Sequence, residues 1–175
     1  GGRCRWPVRR GGLGDFHALA RFHYVLAPPA AHKRVWSVPV PRSRRVPGGP
    51  AVAAVLVVSP PVLGCGGRDA ATGGRYCDRG GPHAGGINAD FECISRVVVH
   101  PSFRGRGLAV RLVRHAIATA ATPRVEALAA MGRVHPFFEL AGMACHGRFG
   151  RPGRGYLYYL TPAPGGPEAR TGTGR

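Results

Sequence analysis

Residues 94–109, ISRVVVHPSFRGRGLA, pass from an apolar run through a proline turn and an Arg/Gly loop into a periodic helical stretch. Ile94, Val97, Val98 and Val99 are the residue types that a sheet interior selects. Pro101 ends the strand, because it cannot donate to the ladder and biases His100 toward extended geometry. From Leu108 the apolar period changes from 2 to 3.6. Leu108, Leu112, Ala116 and Ala120 fall on one stripe, with Val113 and Ile117 beside it. Gly105 and Gly107 sit where a helix N-terminus presents unpaired N–H donors and a partial positive charge. With Arg104 and Arg106 added, strand, loop and helix predict an anion cradle.

The residues Arg104 to Ala109, RGRGLA, fit the R-x-x-G-x-A acyl-CoA pyrophosphate motif of the GNAT superfamily of N-acetyltransferases. The preceding VVVHP resembles that family's fourth strand, and HPFFELAGM (135–143) resembles its late helix with an F-x-x-x-G ending. The resemblance runs from about Ile94 to Met143. It implies an α/β (α+β) fold with a mixed, mostly antiparallel central sheet flanked by helices. It also implies acetyl-CoA as cosubstrate and no metal. Arg104, Gly105, Arg106, Gly107, Leu108 and Ala109 would grip the pyrophosphate through backbone N–H groups. The backbone of Val97, Val98 and Val99 would pair with pantetheine as an added strand does.

For the chemistry, the resemblance points to Glu92, just ahead of the strand, as the base that takes the amine proton. A surface acid at a strand end is the other reading of this residue. Asp90, His23 and His100 are weaker candidates, and His100 is expected to face solvent. Many family members carry a tyrosine general acid where this chain has Phe138, which has no proton to give. His135, one turn earlier, is the substitute, or else only a helix cap. The implied activity is acetyl transfer from acetyl-CoA to an amine, on a macromolecule or a small molecule. The alternative is a basic nucleic-acid-binding module on the same fold without catalysis, and a third reading is a degenerate product. LARFHY, together with the two motifs above, resembles acetyltransferase domains fused to ABC-type ATPases, which makes such an ATPase a candidate partner.

The chain has 175 residues, one domain's worth, with 25 basic against 8 acidic residues and a net charge of +17. Lys33 is the only lysine. This charge reads either as attraction to nucleic acid, acidic lipids or another polyanion, or as the amino-acid bias of a GC-rich genome. Five cysteines form no C-x-x-C pair, so zinc-ribbon spacing is absent, and a Cys65–Cys77 bridge is the only local pairing to consider. No apolar run reaches membrane-spanning length and no signal peptide is visible, so the chain reads as soluble and cytoplasmic. It lacks an initiator Met, as a fragment or a processed product would.

Residues 1–14 read as a flexible basic segment and 15–160 as one acetyltransferase domain. Asp15 caps a short helix carrying Phe16, Leu19 and Phe22. His23 and Tyr24 follow it, either packing on the sheet or lining a substrate cleft. VWSVPV (35–40) and AVAAVLVVS (51–59) predict an antiparallel hairpin. The glycine-rich stretch 64–90 is expected to be a disordered loop. VEALAA (125–130) and YLYYL (156–160) predict strands, Gly147 to Gly155 a connection between elements, and 161–175 a disordered tail.

Overall fold

In a computed structural model of the chain, residues 6–23, 31–77, 84–130, 136–151, 153 and 155–163 are described. The strands are β1 (Arg9–Arg10), β2 (Arg34–Pro39), β3 (Val52–Ser59), β4 (Phe91–Val99), β5 (Arg124–Ala129), β6 (Ala144–Phe149) and β7 (Tyr156–Leu160). The helices are α1 (Leu13–Leu19), α2 (Gly66–Ala71), α3 (Ala84–Asp90), α4 (Leu108–Ala118) and α5 (Phe137–Leu140). The result is the mixed, mostly antiparallel α/β architecture expected from the sequence. The chain divides into two compact units, Gly1–Pro60 with Cys93–Thr119, and Pro61–Glu92 with Ala120–Arg175.

In the first unit β3 pairs antiparallel with β2 on one side and with β4 on the other. All eight β3 residues are buried. The reason is coverage of both faces, since α1 and α4 each pack on this strand. Phe16 and Leu19 of α1 meet Val35, Val55, Val57 and Val98 in one cluster. By the strand's period of two, Ala54 and Leu56 turn the other way, toward the face that α4 covers with Leu108, Leu112, Val113 and Ala116. A strand covered on both faces reads as a continuous apolar run rather than an alternating one, as AVAAVLVVS does.

Of the segment 1–14, residues 6–14 are described, and they are more ordered than their composition predicts. Arg9 and Arg10 pair with Ser37 and Trp36 as β1. Trp6 is buried and meets Phe103 edge-on, with ring centroids 5.4 Å apart. Gly and Arg have no strand propensity of their own here, so β1 exists because β2 offers it an edge.

In the second unit β7 lies between β5 and β6, antiparallel to both. Its Tyr158, Tyr159 and Leu160 are buried. The stretch expected to be a disordered loop instead contains α2 and α3, and its Cys65, Tyr76 and Ile87 join a core with Phe91, Tyr158 and Leu160. Gly67 is required by packing: a Cβ there would stand 2.5 Å from Cγ of Tyr158. Cys65 and Cys77 are free thiols. The basic connection expected after Gly147 is in part strand β6, whose edge residues are mostly exposed.

Helix α5 is a single turn. It ends in a Schellman cap, with Met143 N–H donating to Phe138 O at 3.0 Å and Gly142 N–H to Glu139 O at 2.9 Å. Gly142 has φ +99°, which a side chain would strain, so the glycine of FFELAGM is doing the capping its position predicts. Phe138 and Met143 are both buried, as the apolar contact of this cap requires.

Candidate cofactor and active site

The loop and helix start take the backbone form the sequence predicts. Gly107 is the N-cap of α4 with φ +71° and no side-chain cap, and Gly105 has φ +72°. Only glycine holds that backbone without strain. A Cβ at either position would meet nothing within 4 Å, so both glycines face open space and conformation, not crowding, selects them. Arg104 and Arg106 are exposed on the same loop, while Leu108 is buried and anchors the helix start. The first turn of an eleven-residue helix then presents its N–H groups and positive dipole end with no competing side chain. These residues fit the diphosphate of a CoA thioester.

His100, expected to face solvent, precedes this loop and is half-buried. It lies against Phe22 (4.7 Å) and Phe103 (5.6 Å), and its Nδ1 accepts from the Ser102 N–H at 3.2 Å. Burial, then the charges of Arg21 and Arg104, hold its pKa below the usual histidine value. A neutral imidazole with one nitrogen committed to the turn organises the loop rather than serving as a base. His23 is half-buried at the end of the 3-10 turn that follows α1. Tyr24 and His135 lie outside the described residues.

Strand β4 carries a feature the sequence did not signal. Its register against β3 shifts between Val57, opposite Arg96, and Val58, opposite Ile94. Ser95 is therefore the extra residue of a β-bulge. Its hydroxyl bonds the Ser59 hydroxyl at 2.7 Å, and Arg96 Nη1 donates to its carbonyl at 2.8 Å. Bulges bend a strand and interrupt its ladder, and they are over-represented beside active sites. Beyond this one, Val97, Val98 and Val99 pair regularly with Leu56, Val55 and Ala54. Val98 is buried, and Val97 and Val99 are partly exposed. A bulge has no composition of its own, and the pair of serines, Ser59 and Ser95, is the only trace it leaves in the sequence.

Glu92 is completely buried on β4 rather than a surface acid at a strand end. Asp90, the other nearby carboxylate, accepts a 2.6 Å hydrogen bond from the Tyr76 phenol. Asp90 and Tyr76 line a cavity of about 320 Å³ together with Arg75 and Arg124. Asp90 is thereby committed to a partner.

Where the resemblance expects a tyrosine, Phe138 is buried and lies 5.0 Å from the ring of Tyr159 on β7. Burial, helped by Glu139 and Cys145, pushes the Tyr159 phenol up to about 12. It therefore keeps its proton at neutral pH. No local motif marks this residue, and the tyrosine-rich YLYYL is its sign in the sequence.

A second buried cluster has no local signature in the sequence, because its partners lie 58 positions apart. Arg68 of α2 is fully buried and makes a two-pronged ion pair with Glu126, Nε to Oε2 at 3.0 Å and Nη2 to Oε1 at 2.7 Å. Its remaining donors go to the carbonyls of Leu63 (3.1 Å) and Val62 (2.6 Å). Tyr158 donates to the same Glu126 Oε2 at 2.7 Å. Burial alone would lower the Arg68 pKa, but the hydrogen bonds and charge of Glu126 raise it. Burial and the Glu126 charge likewise raise that of Tyr158. With every prong satisfied, this network is structural and holds α2 against β5 and β7.

Residues 83–150 match the acetyltransferase (GNAT) family model. Solved structures share the architecture across most of the chain. The GNAT N-acetyltransferase YhbS of Escherichia coli, solved with CoA, is 13% identical with a TM-score of 0.57, covering 89% of this chain and 79% of its own. A GNAT-family acetyltransferase from Bacillus cereus gives 10% identity, a TM-score of 0.54 and coverage of 89% and 95%. This is the GNAT acetyltransferase fold. Another GNAT-family member, from Brucella melitensis and bound to acetyl-CoA, is 13% identical with a TM-score of 0.52, covering 93% of this chain and 90% of its own. No curated protein sequence matches the chain significantly. Within this GNAT fold the family match spans β4, the glycine loop and α4 through to β6. No group able to hold a metal ion is found among the described residues, and no described helix is long and apolar enough to cross a membrane.

Proposed function

We propose that the protein is an acetyl-CoA-dependent N-acetyltransferase that moves an acetyl group to an amine. The observation that carries this reading is the loop 104–107: paired positive-φ glycines facing open space at the uncapped start of α4, flanked by exposed arginines. Arg104 to Ala109 hold the diphosphate, and the β4 backbone from Val97 to Val99, set off by the Ser95 bulge, aligns the pantetheine arm.

In the reaction the amine nitrogen attacks the thioester carbonyl carbon, the C–S bond breaks, the nitrogen loses a proton and the thiolate gains one. Most of the rate gain comes from holding the two reactants in line and from donors aimed at the developing oxyanion. Glu92 is the candidate base. Its side chain is fully buried on β4, and it takes the proton directly or through water. The sequence resemblance extends the proposal to an ABC-type ATPase as partner.

The test is a thermal-shift titration with acetyl-CoA, followed by thiol-release assays over a panel of amines. A ligand present at 100 times its Kd stabilises the fold by about 2.7 kcal/mol. For a chain of this size that raises Tm by roughly 5–10 °C. No shift at millimolar acetyl-CoA overturns the assignment.

A further inference from the structure

We infer that the face of the first unit carrying the glycine loop is also a docking surface for the phosphate backbone of a nucleic acid. Asp15 is the only acidic residue in the sequence of this unit, and it is already paired with Arg9 at 3.5 Å. Every other Asp and Glu of the eight lies in the second unit. Codon bias raises arginine along a whole chain, but it does not strip carboxylates from one unit. The asymmetry therefore calls for a physical account.

The arginines are also gathered. A ladder of half-buried and buried rings runs from Phe22 to His100 (4.7 Å), on to Phe103 (5.6 Å) and then to Trp6 (5.4 Å). Arg21 lies over Phe22 at 4.8 Å and Arg44 over Trp6 at 5.7 Å. Arg42 and Arg45 belong to the same exposed turn as Arg44, and Arg45 Nε is fixed on the carbonyl of Val40 at 3.0 Å. Phe103 leads directly into Arg104 and Arg106. The depressed pKa of His100, caused in part by Arg21 and Arg104, reports the positive field that results.

The choice of partner follows from the side chains. Guanidinium forks bind phosphate oxygens in pairs, and stacking on rings holds them ready with less entropy to lose. Among the described residues of this unit Val46 is the single exposed large apolar side chain, so a membrane would find no apolar face to take up. The rings are too covered to stack with bases, so binding is through phosphates and without sequence preference. More arginines converge here than the pyrophosphate alone would use, and the inference does not depend on the acetyltransferase reading.

Fluorescence anisotropy with labelled single-stranded and duplex DNA 20-mers tests it. If five or six arginines engage, log Kobs should fall with log [salt] at a slope of roughly −4.5 to −5.5 for the duplex. The double variant Arg21→Glu/Arg42→Glu should reduce that slope by about 2 and still show the thermal shift with acetyl-CoA, which also confirms that it folds. Three results overturn the inference: no binding at 50 mM salt, a slope near zero, or unchanged binding by the double variant. Binding to phosphatidylserine vesicles without binding to either oligonucleotide overturns it as well, in favour of a lipid surface.

Discussion

Substituting Glu126 by Gln keeps the side chain's size and one acceptor oxygen but leaves the Arg68 guanidinium buried without its counter-charge. Arg68 and Glu126 are both 0% exposed, and the pair is closed at 2.7 and 3.0 Å. Removing one partner of such a pair costs about 3–5 kcal/mol, most of it the penalty of an uncompensated buried charge. The retained acceptor places Gln at the lower end, near 3 kcal/mol. At about 2–4 °C per kcal/mol for a chain of this length, Tm should fall by roughly 6–12 °C. The double variant Arg68→Met/Glu126→Leu removes both charges and should recover most of the loss, although Tyr158 then lacks its acceptor. Differential scanning calorimetry on the parent, the singles and the double completes the cycle. A loss under 1 kcal/mol for Glu126→Gln, or single-variant costs that simply add, would show that Arg68 and Glu126 are not paired in solution. That outcome would return residues 64–90 to the disordered loop their composition suggests.

Gly107→Glu should abolish the acetyl-CoA thermal shift, because it puts a negative side chain at φ +71° where the diphosphate is expected; retained binding, measured by calorimetric titration, would refute the cradle. Glu92→Gln should leave acetyl-CoA binding intact and lower turnover by roughly 10²–10⁴-fold, with a smaller deficit at high pH, where more of the amine is already neutral. Equal rates at pH 7 would clear this residue. Tyr159 contributes an alkaline limit to stability: its folded pKa of about 12 lies above the ordinary value of 10, so its contribution is intact below pH 10 and is lost as pH rises toward 12. Tyr159→Phe should flatten that loss in pH-dependent melting.

Some of this molecule is legible along the chain because the deciding contacts are local. A positive-φ glycine before a helix, a proline after a strand, and the Schellman glycine of FFELAGM each depend on a few neighbouring residues. The strands β3, β4 and β7 are legible because burial imposes its own residue types. That is why the stretch from Ile94 to Ala109 predicts the strand, loop and helix that the structure contains. The rest was decided by partners distant in sequence. Arg9 and Arg10 become a strand only because the β2 edge is there to pair with them. Helix α2 forms in a glycine-rich stretch of poor helix propensity because Arg68 finds Glu126 fifty-eight positions away, and because Gly67 lets the helix close on Tyr158. The Ser95 bulge arises from register between two strands, which neither strand encodes alone. Glu92, read from sequence as either a base or a surface acid, is buried by tertiary packing, and the loss of solvent around its carboxylate is a property no linear pattern carries.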